Sequence, residues 1–244
     1  MPRPVNTSLN FAKRLFLCPW WFVSGLCRNV WQWALERLGH VRVYSRPFWF
    51  VFSPPDYKVR ARHLRRALPI LRPGDVLVRR YESYLLSLFI PGRFSHSGVY
   101  VGYDLVCGSY AGVVVHALGS GVQKTDVMDF LMGCDGFAVL RPKCAQEDKD
   151  MACDIARGYL GTEYDYRFDI CEDYDNVEEV QSRTRSVYCH ELTRSCFPHL
   201  RVPTVLPQLW NGMIRSSKRQ FLAQSFFDSP DFEVVYDSFY SEAQ

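Results

Sequence analysis

The chain has 244 residues, of which 48% are hydrophobic and 23% are charged. These values are close to those of ordinary globular proteins, so they exclude wholesale disorder, a collagen-like chain and a polytopic membrane protein. The net charge of +3 hides an uneven distribution, because residues 1–72 carry 13 Lys and Arg against two acidic residues. Five of the six Trp also lie there. We therefore predict a basic, Trp-rich extension over residues 1–70 and a main domain over residues 71–244.

The extension combines short apolar runs with tryptophans and arginines. Its longest apolar run, residues 15–27, is shorter than the roughly 20 residues of a membrane span, and no signal-peptide cleavage pattern follows it. Indole rings prefer the membrane–water interface and arginines attract anionic lipid, which favours peripheral membrane contact through residues 1–55. A helical lid packed on the main domain fits the same pattern, and apolar periodicity alone leaves both interpretations open.

Cofactors and other partners have no clear signature in the sequence. The nine cysteines are odd in number and form no C-x-x-C pair, so we expect neither a disulfide framework nor a zinc site, and an intracellular, reducing compartment. The acidic stretch 169–179 lacks the glycine and ligand spacing of an EF-hand, which argues against calcium. No nucleic-acid-binding motif accompanies the basic residues 58–66. We therefore expect no metal, no cofactor and no nucleic acid.

The predicted elements of the main domain alternate between strands and helices. Turn signals and periodicity predict, in chain order, a helix at 59–68, a strand at 76–80, a helix at 81–90, strands at 96–103, 105–109 and 113–117, a helix at 125–132, a strand at 137–141, helices at 145–160 and 187–197, and a strand at 232–236. This order is typical of an α+β fold around an antiparallel sheet.

One predicted strand carries a candidate general base. On a strand, His96, Gly98, Tyr100 and Gly102 share one face, and the two glycines leave space over the imidazole ring. The alternative is an ordinary core or surface histidine. His116, in a nearby strand, is a candidate to orient His96.

A candidate nucleophile lies where a later helix is expected to begin. Cys189 falls in the first turn of the helix predicted at 187–197, where a helix N-terminus lowers the pKa of a thiol. His190 is adjacent in sequence, but neighbours on a helix do not face each other, so we predict that it is a poor base for this thiol. The alternative reading of Cys189 is a buried structural cysteine.

Five segments together carry a family resemblance. The chain resembles the circularly permuted branch of the NlpC-type papain-like hydrolases, the YaeF/YiiX-like amidases. The matching segments, in family order, are LRPGDV at 71–76, FSHSGVYVG at 94–102, the strand and glycine turn at 115–122, GTEYDY at 161–166 and YCHEL at 188–192. The histidine strand precedes the cysteine helix, which is the permuted order.

The resemblance implies a fold and a set of roles. The fold would be a permuted papain-like fold, in which an antiparallel sheet or barrel packs against helices. We expect the basic, aromatic N-terminal extension to be helical. Cys189 would be the nucleophile, His96 the general base and His116 the third residue that orients His96. Tyr164 would help to stabilise the oxyanion, against the alternative of a core tyrosine. This sequence departs from the family pattern at two positions. It has His116 where the YaeF/YiiX group often has Glu, and His190 where a small residue usually follows the cysteine.

The resemblance implies acyl transfer with a small amide or peptide substrate. The expected protein is a cysteine amidase or peptidase-like hydrolase that works through a thioester on Cys189, with a thiolate–imidazolium pair keeping the nucleophile charged. Two alternatives remain open. The same thiol would act on a lipid ester if the extension holds the site at a membrane surface. A third reading is an inactive module that binds a membrane or a protein and keeps only the fold.

Overall fold

The computed structural model describes residues 57–82, 90, 92–165, 186–205 and 219–240 in full. It describes only the backbone of four short strands, which are Val41–Ser45, Phe48–Phe52, Gln208–Leu209 and Ile214–Arg215. The predicted helix at 81–90 and the acidic stretch 169–179 fall largely or wholly outside the described residues, as do residues 1–40.

The described part of the chain is an α+β structure. Its strands are β1 Val41–Ser45, β2 Phe48–Phe52, β3 Val76–Arg80, β4 His96–Val106, β5 Ser109–Leu118, β6 Gly121–Asp126, β7 Gly136–Pro142, β8 Glu163–Tyr164, β9 Ser186–Val187, β10 Gln208–Leu209, β11 Ile214–Arg215 and β12 Phe232–Asp237. Its helices are α1 Ala61–Ala67, α2 Val127–Met132, α3 Gln146–Gly158, α4 Cys189–Cys196 and α5 Ala223–Phe227, with a 3-10 turn at Leu68–Ile70.

An open sheet of six strands organises the described residues. Its order is β12-β7-β3-β4-β5-β6, and every neighbouring pair is antiparallel. The α+β class with an antiparallel sheet is therefore confirmed. The interior strand β5 carries a run of β-branched residues, Val113, Val114 and Val115, because both faces of the sheet are covered.

The two faces of the sheet bury two hydrophobic cores. On one face, which we call the α4 face, Val99 and Val115 pack in one cluster with Leu192 of α4 and Ala152 of α3. On the other face, which we call the α2 face, the residues that alternate with these along the same strands pack in a second cluster with Phe130 of α2. Alternation of side chains along each strand thus divides the sheet into two chemical environments. Each fully buried aliphatic side chain contributes about 1.5–3 kcal/mol.

A buried carboxylate fixes the turn that begins β3. Asp75 is 1% exposed and accepts two hydrogen bonds from Arg141 on β7, at 2.9 and 2.8 Å. It also accepts the backbone N–H of Arg72 at 2.8 Å. Gly74 has φ +89° and donates its N–H to the carbonyl of Tyr100 at 2.8 Å, which joins the turn to β4.

The long hairpin of β4 and β5 replaces three separate predicted strands. Gly102 and Asp104 indicate breaks in the sequence, but the ladder continues through them by a register shift between Tyr100 and Gly102. Gly102 has φ +86°, a conformation that suits a bulge with glycine. Cys107 and Gly108 form the two-residue turn with positive φ, as type I′ hairpins require.

The extension is only partly described. Residues 59–68 were expected to be helical, and α1 occupies 61–67, with Leu64 and Ala67 buried in the same core cluster as Leu77. The expectation of a helical extension is wrong at β1 and β2, which form an antiparallel hairpin rich in β-branched and aromatic residues. Within the described residues, no helix has the length and apolar character needed to cross a membrane. The domain boundary at residue 71 stays a prediction.

Candidate active site

Cys189 is the first residue of α4. The preceding residue, Tyr188, has extended backbone angles and directly follows the short parallel pair of β8 and β9. That pair puts Tyr164 directly beside Val187, two residues before the cysteine. Because of this pairing, two segments far apart in sequence meet at the beginning of α4.

Hydrogen-bond donors surround the buried Cys189 sulfur. They are the backbone N–H groups of Ser97, Cys189 and His190 and the hydroxyl of Tyr164, and each of them lowers the pKa of the thiol. Burial has the larger opposite effect, since Cys189 is only 5% exposed, and the pKa of the thiol is raised to about 11. The N-terminal position alone therefore does not make this thiol a thiolate at neutral pH.

The two predicted histidines lie together in a hydrogen-bonded chain. His96 Nε2 is 2.9 Å from His116 Nδ1, and both side chains are buried. His116 Nε2 is in turn 2.8 Å from the hydroxyl oxygen of Thr125 on β6. This series of hydrogen bonds fixes the orientation of both rings. Nothing in the sequence indicated the role of Thr125 beyond its place on the strand next to β5.

Glycine at position 98 allows this close packing of the histidines. A Cβ atom there would lie 2.7 Å from Val114 Cγ1 and 3.0 Å from His116 Cβ. The space that we expected over the His96 ring is therefore filled by residues of β5. Gly98 acts by letting β5 side chains approach β4.

The sheet separates the histidine pair from the helix that carries the thiol. His96 and His116 lie on the α2 face, where both rings contact Phe130 at centroid distances of 5.8 and 5.0 Å. Ser97, the next residue, points to the α4 face and contacts α4 instead. Among the described residues, His96 makes no hydrogen bond to the Cys189 sulfur. The structure thus brings His96 and His116 together and leaves the thiol with other partners.

His190 contacts the thiol, contrary to the sequence expectation. Its Nδ1 and Nε2 atoms lie 3.6 and 3.7 Å from the Cys189 sulfur. Side chains of a helix lean toward its N-terminus, and no earlier turn blocks the second residue from folding back. Adjacent side chains within a helix point in different directions, which is why we predicted that His190 and Cys189 would be apart. This rule does not hold for these two residues in the first turn of α4.

Ser97 holds His190 and the beginning of α4 in position. Its hydroxyl donates to the carbonyl of Cys189 at 3.2 Å and lies 2.9 Å from both His190 Nδ1 and Thr193 Oγ1. Thr193 also donates to the Cys189 carbonyl, at 3.0 Å. Ser97 and Thr193 therefore attach α4 to β4 through buried hydrogen bonds, which are costly to leave unmade.

The three histidines are held in their neutral form. The pKa values of His116 and His190 are lowered to about 3, chiefly by burial. The pKa of His96 is lowered well below its ordinary value, first by burial, then by the positive charge of Arg79 and by electrostatic coupling to the neighbouring imidazoles of His116 and His190. Together with the raised pKa of Cys189, these shifts favour a neutral thiol and neutral imidazoles over the expected thiolate–imidazolium pair.

Arg79 is a functional candidate that the sequence analysis missed. It lies directly opposite His96 in the β3–β4 pair and is 7% exposed. Its guanidinium lies 4.0 Å above the Phe130 ring and donates to the Phe130 carbonyl at 2.8 Å, at the end of α2. The alternation of the strand VLVRR directs Arg79 to the same face as Leu77, but the identity of its cross-strand neighbour depends on the register.

A polar cavity of about 300 Å³ opens near the beginning of β4. Its lining residues are Arg80, Tyr81, Glu82, Ile90, Gly92, Arg93 and Ser95. Ser95 directly precedes His96, and its buried hydroxyl has no hydrogen-bond partner among the described residues. The cavity thus begins one residue from the histidine pair, while Cys189 does not line it.

Comparisons with known proteins agree with this architecture. A family model described as permuted papain-like amidase enzyme, YaeF/YiiX, C92 family, matches residues 70–236. The crystal structure of the metalloprotein yiiX from Escherichia coli O157:H7 is similar over 68% of this chain and 97% of its own, with a TM-score of 0.52 and 19% identity. At that identity the likeness concerns the fold alone. A search of curated proteins found no match. The predicted permuted papain-like fold is confirmed.

Proposed function

Because the chain belongs to the permuted papain-like amidase family YaeF/YiiX, C92, we propose that it hydrolyses amide bonds through a thioester on Cys189. The observation that carries the proposal is the environment of the Cys189 sulfur. It lies at the beginning of α4 among the N–H groups of Ser97 and His190 and the hydroxyl of Tyr164. A carbonyl carbon that bonds to this sulfur brings its oxygen next to the same donors, which suits a developing oxyanion.

His96 is the proposed general base, and His116 orients it. The Nε2 atom of His96 is used by His116, so Nδ1 is the nitrogen left for the thiol. The N–H of Ser97 is a donor to the sulfur, and the Cα of His96 is two bonds from that nitrogen. Because His96 and Cys189 lie on different faces of the sheet, the proposal requires a rearrangement at the beginning of β4 that brings base and nucleophile together when substrate binds.

The proposed reaction begins with the neutral thiol of Cys189 and the neutral imidazole of His96. The imidazole of His96 takes the Cys189 proton as the sulfur attacks the amide carbonyl, and the C–N bond then breaks as His96 returns the proton to the leaving amine. Water, activated by the same imidazole, attacks the thioester and releases the carboxylic acid and the thiol. A neutral histidine is the form that can accept the first proton, which fits the lowered pKa of His96.

The test measures the reactivity of Cys189 itself. Full-length protein is alkylated with iodoacetamide across pH, and the modified cysteines are identified by mass spectrometry. We expect His96→Ala to slow the alkylation of Cys189 and to leave that of the exposed Cys107 unchanged. Cys107→Ser is the matched control, since it removes an exposed thiol outside the site. Slow alkylation of Cys189, unchanged in His96→Ala, would contradict the proposal and favour the inactive binding module.

The rival base is tested by a second variant. His190 contacts the sulfur in this structure, so His190→Asn is compared with His96→Ala in the same alkylation series. Our proposal expects His96→Ala to have the larger effect on the rate. If His190→Asn slows Cys189 more, His190 is the base and the histidine pair on the α2 face has another role.

A lipid substrate for the same thiol remains the second candidate. It depends on the basic, Trp-rich residues 1–55, most of which lie outside the described residues. Incubation with a labelled phospholipid or with labelled peptide amides, followed by mass spectrometry of Cys189, separates the two substrate classes. We expect an acyl adduct from the amide, and a fatty-acyl adduct from the phospholipid would overturn the amidase assignment. Peripheral membrane association is checked by sedimentation with anionic vesicles.

A further inference from the structure

Three side chains with donor atoms that can bind a metal lie together near the end of α4 that is opposite to Cys189. They are Cys144, Asp148 and His199, and one ligand atom from each lies within 4.8 Å of the other two. His199 Nε2 and Asp148 Oδ2 are 3.8 Å apart. We propose that these three residues bind Zn²⁺. The proposal is independent of amide hydrolysis, because α4 is eight residues long and so separates this cluster from Cys189 by about 12 Å.

The donor set selects zinc among the common metal ions. A thiolate, an imidazole and a carboxylate are the three ligand types that Zn²⁺ accepts, whereas Ca²⁺ and Mg²⁺ require oxygen ligands. Zinc–ligand bonds of 2.0–2.3 Å in a tetrahedron put ligand atoms about 3.5 Å apart. The observed distance of 3.8 Å between His199 Nε2 and Asp148 Oδ2 is therefore close to the required separation. Small rotations of the side chains are enough to shorten the remaining distances between ligand atoms.

The backbone around Cys144 is anchored by hydrogen bonds. Cys144 lies between β7 and α3, next to Lys143, whose N–H donates to the carbonyl of Asp231 at 2.8 Å. The ammonium of Lys143 donates to the carbonyl of Pro230, also at 2.8 Å. Asp148 follows in the first turn of α3. Two of the three donors thus come from a segment held against β12.

The third donor is held by the turn after α4. Arg194 donates to the carbonyls of Phe197 and Pro198, the latter at 2.9 Å, and the N–H of Leu200 donates to Phe197. Phe197 and Leu200 are buried in the core of the α4 face, so His199 between them has a fixed backbone. Preorganised donors on rigid elements are what a specific metal site requires.

The site has access to solvent and an open coordination position. The side chains of His199 and Asp148 are 44% and 40% exposed, which allows zinc to enter from water. Three protein ligands leave the fourth tetrahedral position for water. Binding replaces the Cys144 S–H bond by a Zn–S bond and releases that proton to solvent, while His199 donates a lone pair from its neutral ring. Zinc then joins the beginning of α3 to the end of α4.

Cobalt substitution tests the assignment on the full chain. Metal-free protein is titrated with Co²⁺ and then with Zn²⁺, and the ultraviolet thiolate-to-cobalt band reports ligation by cysteine. We expect one metal ion per chain, displacement of Co²⁺ by Zn²⁺ and a higher melting temperature with zinc. Cys144→Ser is expected to abolish the band, and His199→Ala and Asp148→Asn to weaken binding at least tenfold.

Matched thiol variants make the result decisive. Cys107→Ser and Cys189→Ser are expected to keep the band, because neither residue belongs to the cluster. A band that survives in Cys144→Ser, or that disappears only in Cys189→Ser, overturns the proposal. Absence of metal binding by folded wild-type chain overturns it as well. None of these outcomes depends on whether the chain hydrolyses amides.

Discussion

Arg79 lies directly opposite His96 in the antiparallel pair of β3 and β4, on the face where His116 and Phe130 also lie. Burial is the main cause of the lowered pKa values of both histidines, and the guanidinium lowers them further. Its own charge is partly stabilised by the Phe130 carbonyl and ring. A buried cation beside the proposed base thus adds to the effect of burial in keeping that base unprotonated.

Replacement of this cation is expected to make His96 easier to protonate. In Arg79→Met, the pKa of His96 rises toward its ordinary value, because the positive charge that opposes protonation is gone. Histidine titration followed by NMR measures the change directly, and the acidic limb of the Cys189 alkylation profile moves to higher pH with it. Arg79→Lys keeps the charge and is the control. An unchanged His96 titration in Arg79→Met would rule out this electrostatic role.

Glycine at position 98 is expected to be essential for the packing of the histidine pair. In Gly98→Ala the new Cβ lies 2.7 Å from Val114 Cγ1, which is closer than real contacts allow. Overpacking of this kind costs about 1–3 kcal/mol of unfolding free energy. Gly158→Ala is the matched control, since a Cβ there would meet no atom outside its own helix within 4 Å in the described part of the chain. Urea denaturation measures both variants, and equal stability of the two would contradict the packing argument.

Local signals account for much of the fold. The run of residues 76–80 was predicted as a strand because a turn precedes it and apolar residues fill it, and β3 has these bounds. The helix at 145–160 was predicted from periodicity, and α3 covers 146–158. The hairpin of β4 and β5 was split because Gly102 normally weakens a strand, whereas here a bulge with positive φ carries the ladder through it.

The candidate site was less accessible to sequence reasoning. Alternation along a strand was enough to put His96 and Gly98 on one face, and the structure adds His116 to that face. The contacts of Arg79 and His190 depend on strand register and on the first turn of α4, which are tertiary features. The proposed zinc ligands Cys144 and His199 are 55 positions apart and follow no motif, so the sequence predicted no metal.

Buried neutral histidines are expected to make the fold sensitive to acid. The pKa values of His116 and His190 are about 3 in the folded chain against 6.5 when unfolded, so below pH 6.5 the unfolded chain binds protons that the folded chain does not. Unfolding free energy therefore falls as pH decreases from 6.5 to about 3, by at most about 1.4 kcal/mol per pH unit for each histidine. Above pH 6.5 these residues cause no change.

Urea unfolding at pH 7, 6, 5 and 4 measures this dependence. His190→Asn removes one titrating group, so its stability is expected to fall less steeply between pH 6 and 4 than that of the wild-type chain. Gly158→Ala is the matched control, since it replaces a residue that has no titrating group, and its slope should equal the wild-type slope. Equal slopes in all three proteins would show that His190 does not titrate in this way.

The hydroxyl of Thr125 is expected to support activity through His116. In Thr125→Val the shape is kept, but His116 Nε2 loses its hydrogen bond at 2.8 Å and is left buried without that partner. A loss of about 1–2 kcal/mol in transition-state stabilisation lowers kcat roughly 5- to 30-fold. Thr125→Ser keeps the hydroxyl and is expected to restore most of the rate. The alkylation rate of Cys189 is the first measurement, and hydrolysis of an identified amide substrate is the second. A fall in unfolding free energy without any change in either rate would mean that Thr125 supports only the packing of β5 and β6, and that the orientation of His116 does not limit the reaction.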